Sequence, residues 1–290
     1  MRIDQRRTHW ADEQPRTRWI DQSAFRPPRP DLRLGARSHR VDRNPAAAGD
    51  RISVRHTVTT STAEYTLLLN APDWFGHRGV GEALRDAVAE LRAVDLTYGP
   101  NQPDSLVSRL RRDEISPDSY PPLADLVDRC AAMRAATDGW FDAWAVPGGF
   151  DPGGLLGGWA VERAAARLRA AGIHDYAVLS GADLTVRGHA ARGGPWRVAV
   201  HHPTQAHRTP LLLEMTAGAV GTSGVTGRRG HVVDPHTGEP TDRLVAATVV
   251  GPDLAVADAY ATALYAAGPA GLAWFRDGSD YRALFAHHRR

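Results

Sequence analysis

The chain has 290 residues, 42% of them hydrophobic, which is ample for a sizeable core, and no run approaches the ~18 apolar residues of a membrane span. All 35 basic residues are arginine; the absence of lysine excludes a Walker A phosphate loop, a pyridoxal phosphate Schiff base and a Ser-x-x-Lys nucleophile. A single cysteine, Cys130, excludes an intrachain disulfide and a cysteine-ligated zinc or iron–sulfur cluster, and the net charge of +2 is too diffuse for a nucleic-acid partner.

Residues 1–50 hold eleven arginines against seven acids, whereas residues 51–290 hold 24 against 26. The first segment carries five prolines, among them Pro27, Pro28 and Pro30, and little apolar periodicity. It reads as an extended, solvated tail, or else as an arm for an acidic partner. It contains neither an apolar signal region nor a lipobox cysteine, so the expected location is cytoplasmic. The folded domain is expected over 51–290. Residues 52–60 and 64–70, rich in Val, Thr, Tyr and Leu, predict two antiparallel strands. Val80, Leu84, Val88, Leu91 and Val94 recur at helical spacing. A second helix is expected over 122–137, with Leu123, Leu126, Val127, Cys130 and Met133 inward and Asp138-Gly139 as its stop. This places Cys130 in the core rather than in chemistry.

The second half opens on Gly153-Gly154-Leu155-Leu156-Gly157-Gly158, followed by an Ala/Arg-rich helix that Gly172 stops. Short strands are expected at 176–180, 184–187, 196–201, 210–215 and 244–251, and a last helix at 256–267. Short antiparallel runs with helices inserted in blocks predict an α+β fold with mixed or antiparallel sheets, not a doubly wound one.

Three segments could carry chemistry. Glycines opening a helix expose backbone N–H groups to a phosphate, but equally permit close helix packing, and their spacing is not G-x-G-x-x-G. Asp258 and Thr262 lie one helical turn apart and offer oxygen ligands for Mg²⁺; the alternative is a surface Asp beside a Thr bonded to its own helix. His231 and His236, with Asp234 between them, suggest a transition-metal site, although histidines five apart across a proline turn usually diverge.

Read in order, these segments resemble the ApbE family of FAD:protein FMN transferases. Tyr98 and then Pro103-Asp104-Ser105-Leu106-Val107-Ser108-Arg109-Leu110 look like its S-T-Y-x-P-D-S-x-x-S-R-L segment, with extra residues in the turn. Thr137-Asp138-Gly139-Trp140-Phe141-Asp142 is similar to t-x-G-a-F-D, and the run from Asp151 to Glu162 to D-L-G-G-I-a-K-G-y-a-v-D. Ser180-Gly181-Ala182-Asp183 stands at the G-G-D strand end. Gly221-Thr222-Ser223-Gly224 resembles a-T-S-G, His231 to Gly238 resembles H-x-x-D-P-x-T-G, and Ala257 to Thr262 resembles A-D-a-x-x-T.

The resemblance implies an ApbE-type α+β fold with FAD in a cleft between two halves. It further implies Mg²⁺-dependent transfer of FMN from FAD to a Thr or Ser hydroxyl of an acceptor protein, with release of AMP. Acceptor sites of the family resemble D-G-x-[ST]-G-[AS]-T. His231, Asp258 and Thr262 would be catalytic, with His231 polarising the pyrophosphate. Gly154, Asp258, Ala261 and Thr262 would surround the metal. Tyr98 would pack on the flavin, Trp140, Phe141 and Asp142 would line its pocket, and Asp151 would bond a flavin or ribityl group. Gly157, Asp183, Thr222 and Ser223 complete the implied FAD site. Two departures stand out: Gly157 occupies the position of the family's Lys or other long polar residue, and Ala143-Trp144 replaces the Pro-Thr that commonly follows F-D. The alternative reading is a catalytically weakened FAD-binding module or an FAD pyrophosphatase.

Overall fold

A computed structural model describes residues 51–202, 210–224, 232–241, 243–276 and 278–286. The expected tail 1–50 therefore lies outside the described residues. Strands β1 (Arg51–Thr59) and β2 (Glu64–Pro72) form the predicted hairpin, with Val54 opposite Leu69. Helices α1 (Gly76–Tyr98), α2 (Leu106–Arg111) and α3 (Pro121–Ala136) follow, then α4 (Gly153–Ala170). The rest comprises β3 (Asp175–Ser180), β4 (Asp183–Arg187), β5 (Trp196–Val200), β6 (Leu211–Met215), β7 (Ala217–Gly224), β8 (Ala246–Gly251), α5 (Leu254–Ala267) and β9 (Arg282–Ala286).

Seven strands form one antiparallel sheet in the order β1-β2-β3-β4-β7-β8-β9, and β5 and β6 pair separately. Alternate side chains point to opposite faces of a strand. Tyr176 and Val178 accordingly join the helices α1, α3, α4 and α5 in one core, whereas Ala177, Leu184, Val186 and Val220 pack against Trp196, Val198 and Leu213 of the β5–β6 hairpin. The result is three layers, helices on the sheet and hairpin beneath it. All five apolar residues of the 80–94 stripe are buried, as is Cys130, whose thiol burial pushes up to about 12. Among the described residues no helix is long and apolar enough to cross a membrane.

The sequence reading overlooked α2, β7 and β9. Three glycines in Ala-Gly-Ala-Val-Gly-Thr-Ser-Gly hide β7, because glycine has low strand propensity. Gly221 is there for proximity: a Cβ would lie 2.5 Å from the backbone nitrogen of Asp258.

Two buried carboxylates lock the helical layer. Glu90 on α1 accepts from Arg163 Nε (2.6 Å) and Arg167 Nε (2.8 Å), one turn apart on α4. Asp95, near the end of α1, accepts from the backbone N–H and hydroxyl of both Ser61 and Thr62, and from Gln102. Burial by itself would raise its pKa, but these bonds outweigh burial and hold it at about 2. A depressed carboxyl contributes stability that is complete above the unfolded pKa and lost as pH falls through the folded one. Asp95→Asn should therefore cost about 2 kcal/mol at pH 7. Urea unfolding at stepwise lower pH should show the deficit vanishing between pH 4 and 2; a deficit constant with pH would assign the loss to shape alone.

Candidate functional site

A cavity of about 840 Å³ opens at the end of the sheet where the β1–β2 hairpin, the β3–β4 turn, the end of β7 and the start of α4 converge. Its volume falls within the range of small-molecule sites.

The deepest wall comes from α5. Asp253 caps this helix by accepting from Val256 N (3.1 Å), and Glu162 of α4 accepts from Leu254 N (3.2 Å). Alanine-rich and almost wholly buried, α5 lies directly on β7 and β8. That contact brings Asp258 and Thr262 to the cavity with only 7% of Asp258 exposed. Asp258 is thus no surface carboxylate, and Thr262 Oγ1 meets Ser223 Oγ at 2.9 Å, a partner from β7. Gly154 sits against the same threonine, where a Cβ would lie 2.7 Å from Thr262 Oγ1, and its ψ of 15° breaks the helical path of the first turn of α4.

Asp183 opens β4 and accepts from Thr222 N at 2.7 Å. Burial pushes its carboxyl up to about 7. Burial also lifts Asp258 well above the ordinary carboxylate range, and the neighbouring Asp183 charge lifts it further. Carboxylates, hydroxyls and peptide groups are hard oxygen donors suited to Mg²⁺. Among the described residues no cluster of three or more His, Cys, Asp or Glu side chains is placed to hold a metal.

The outer wall is the turn after α3. Asp138 and Gly139 both take positive φ (51° and 82°), reversing the chain so that Phe141 N donates to Thr137 Oγ1. Trp140, Phe141 and Asp142 then line the cavity, as expected. Asp142 is also a turn carboxylate, accepting from Trp144 N and from Arg134 Nε (2.6 Å). Asp151 lines the cavity while bonding Gly153 N (2.9 Å) and pairing with Arg111 (3.0 Å).

The Asp234-Pro235-His236-Thr237-Gly238 turn faces Trp140. Asp234 accepts from His236 N (2.9 Å) and from Arg243 Nη2 (2.7 Å). The Arg243 guanidinium lies 4.8 Å from the Trp140 ring centre, and the His236 ring meets Trp140 edge-on at 4.6 Å. Asp234 and His236 thus hold the turn and the indole, while His231, the third member of the suggested transition-metal set, lies outside the described residues.

The cavity brings together Trp140, Phe141, Asp142, Asp151, Gly154, Gly157, Asp183, Thr222, Ser223, Asp258 and Thr262. Tyr98, the last residue of α1, is buried edge-on against Trp159 at 5.1 Å and is not among the residues that line the cavity. Ala261 is fully buried behind the wall, packed with Val249 and Ala257. His231 lies outside the described residues. Arg111, Arg134 and Arg243 were missed, because an arginine that braces a turn has no local signature among 35 arginines.

Residues 146–285 match the model of the ApbE family. The FAD:protein FMN transferase of Klebsiella pneumoniae is 35% identical over 122 residues, covering 39% of this chain and 35% of the relative. That of Rhodobacter capsulatus is 36% identical over 127 residues, 41% of this chain and 24% of the relative. The chain thus spans about a third of the length of the first curated relatives it matches. The flavin transferase ApbE of Vibrio cholerae superimposes with a TM-score of 0.68 at 20% identity, over 81% of this chain and 94% of that one. The flavinyl transferase ApbE of Pseudomonas stutzeri, apo form, gives 0.69 at 23%, over 82% and 92%. At these identities the two structures establish likeness of fold.

Proposed function

We propose that the chain, whose residues 146–285 match the model of the ApbE family, is a flavin transferase of that family: it transfers FMN from FAD to a Thr or Ser hydroxyl of an acceptor protein, releasing AMP, with Mg²⁺ as cofactor. The observation that carries the reading is the α5 wall, where a buried carboxylate, two hydroxyls and the opening of α4 meet inside the cavity. This donor set fits a hard divalent cation and little else. Asp258, Thr262 and peptide oxygens at Gly154 and Ala261 would hold Mg²⁺, which when bound would offset the charge of the pyrophosphate.

The chain's own residues would do the positioning. Trp140, braced by Arg243 and His236, offers the flavin a fixed apolar wall beside Phe141. Asp151, itself held by Arg111, would orient the flavin or its ribityl chain. Asp142, Gly157, Asp183, Thr222 and Ser223 would complete the FAD site, and His231 would polarise the pyrophosphate. The acceptor oxygen then bonds to the flavin-side phosphorus, the bond from that phosphorus to the bridging oxygen breaks, AMP leaves with that oxygen, and the hydroxyl proton passes to water. In-line placement and charge compensation are the main demands of such a transfer.

Gly157 favours a second reading. A Cβ at this position meets nothing within 4 Å, so the cavity has room where the family carries a lysine or another long polar residue. Without that contact to FAD the site would bind FAD and turn it over slowly, or with water as acceptor. The test is incubation with FAD, Mg²⁺ and a protein bearing the acceptor motif, scoring AMP and covalently retained flavin. AMP together with flavinylated acceptor is the expected result. AMP without labelled acceptor would make the chain a pyrophosphatase, and quenching of FAD fluorescence without AMP would make it a binding module. In that last case Gly157→Lys should tighten FAD binding or restore AMP release.

A further inference from the structure

Six acidic side chains line the cavity, Glu64, Asp95, Asp142, Asp151, Asp183 and Asp258, and no arginine or histidine does so among the described residues. A site for a pyrophosphate would ordinarily show the opposite balance. The acids differ in what offsets their charge. Asp95 is surrounded by five donors, Asp142 is paired with Arg134, and Asp151 with Arg111. Glu64 is exposed to water. Asp183 receives a single backbone N–H, from Thr222. Asp258 is nine-tenths buried, faces the cavity, and meets no side-chain or backbone donor and no cation among the described residues.

These last two carboxylates are placed side by side by one strand. Three consecutive residues of β7 each touch one part of the cluster: Gly221 lies against the Asp258 backbone, Thr222 N donates to Asp183, and Ser223 Oγ meets Thr262 Oγ1. Two uncompensated carboxylates in a poorly solvated pocket are costly, and a divalent cation between them matches their combined charge.

We propose that Asp183 is a second carboxylate ligand of the divalent-cation site, so that the cation is shared between Asp183 on β4 and Asp258 on α5 rather than held by α5 alone. The proposal rests on the metal reading above and extends it to a residue otherwise assigned to FAD. It has a consequence for the substrate: with six acids and no arginine or histidine among the described residues of the cavity wall, FAD binding depends on the bound cation, and chelation weakens FAD binding as well as turnover.

The test uses the full chain without FAD, which separates it from the question of transfer. Mn²⁺ binding is measured by electron paramagnetic resonance and calorimetry on the wild type, Asp183→Asn, Asp258→Asn and Glu64→Gln. Asparagine keeps the oxygen that accepts from Thr222, so Asp183→Asn should retain its circular dichroism; Asp183→Ala, read the same way, covers a failure to fold. Asp183→Asn and Asp258→Asn should each weaken Mn²⁺ at least tenfold, and Glu64→Gln should leave it unchanged. Wild-type Mn²⁺ affinity in Asp183→Asn would overturn the proposal. So would an equal loss in Glu64→Gln, which would reduce the effect to a diffuse acidic field, or a wild type that binds no Mn²⁺ at 10-millimolar levels, on the order of the weakest useful protein sites.

Discussion

Asp258→Asn should lower AMP release from FAD by roughly three orders of magnitude, the scale of losing a principal electrostatic contact to a transferring phosphoryl group, while the protein stays folded. An amide keeps the shape of the carboxylate but holds Mg²⁺ poorly and leaves the pyrophosphate charge without its offset. Stability should move the other way. Asp258 is buried beside Asp183 and raised well above the ordinary carboxylate range by burial first and that neighbour second. A carboxyl whose folded pKa lies above its unfolded one favours the folded state at low pH, and that advantage is lost as pH rises from the unfolded value toward the folded one. In EDTA the asparagine variant should therefore gain in Tm on the wild type as pH climbs from 4 upward, and excess Mg²⁺ should erase the gain. Unchanged AMP release in the variant would remove Asp258 from the site; a Tm difference independent of pH would contradict its charge state.

Gly221→Ala should be strongly destabilising, because the carbon it adds is driven into the backbone of α5. The new Cβ would stand 2.5 Å from Asp258 N and 2.7 Å from Ala257 C, both backbone atoms that cannot rotate away. Helix α5 must lift from β7, separating Thr262 from Ser223 and loosening the cores on either side. Overpacking against rigid backbone costs roughly 3 kcal/mol, which for a domain of this size lowers Tm by about 6 °C. Gly157→Ala is the control: its Cβ meets open space on a helix, and relief of the glycine penalty should stabilise by up to about 1 kcal/mol. Urea titration of both variants decides the matter. Similar stabilities would mean that α5 can shift without cost and that the site tolerates looser packing than its geometry suggests.

The helices α1, α3 and α5 and the β1–β2 hairpin were determined by sequence alone, because each carries its own periodicity: apolar residues every three or four positions, or β-branched runs bounded by a turn. The order of the short motifs also sufficed to point to eleven residues that line one cavity. The tertiary structure decided what neighbours impose. Strand β7 exists because β4 and β8 pair with it and α5 needs glycine against it, although its own composition argues for a loop. Tyr98 matches a motif, but only the packing of α1 on α4 sets its ring edge-on to Trp159. Asp258 reads as a surface acid in a helix of alanines, and becomes a buried one because that helix is covered by β7, β8 and α4. The bracing arginines 111, 134 and 243 carry no local signal at all, since an ion pair depends on where two distant turns meet. Local pattern specifies elements; charge compensation and close approach belong to the assembled fold.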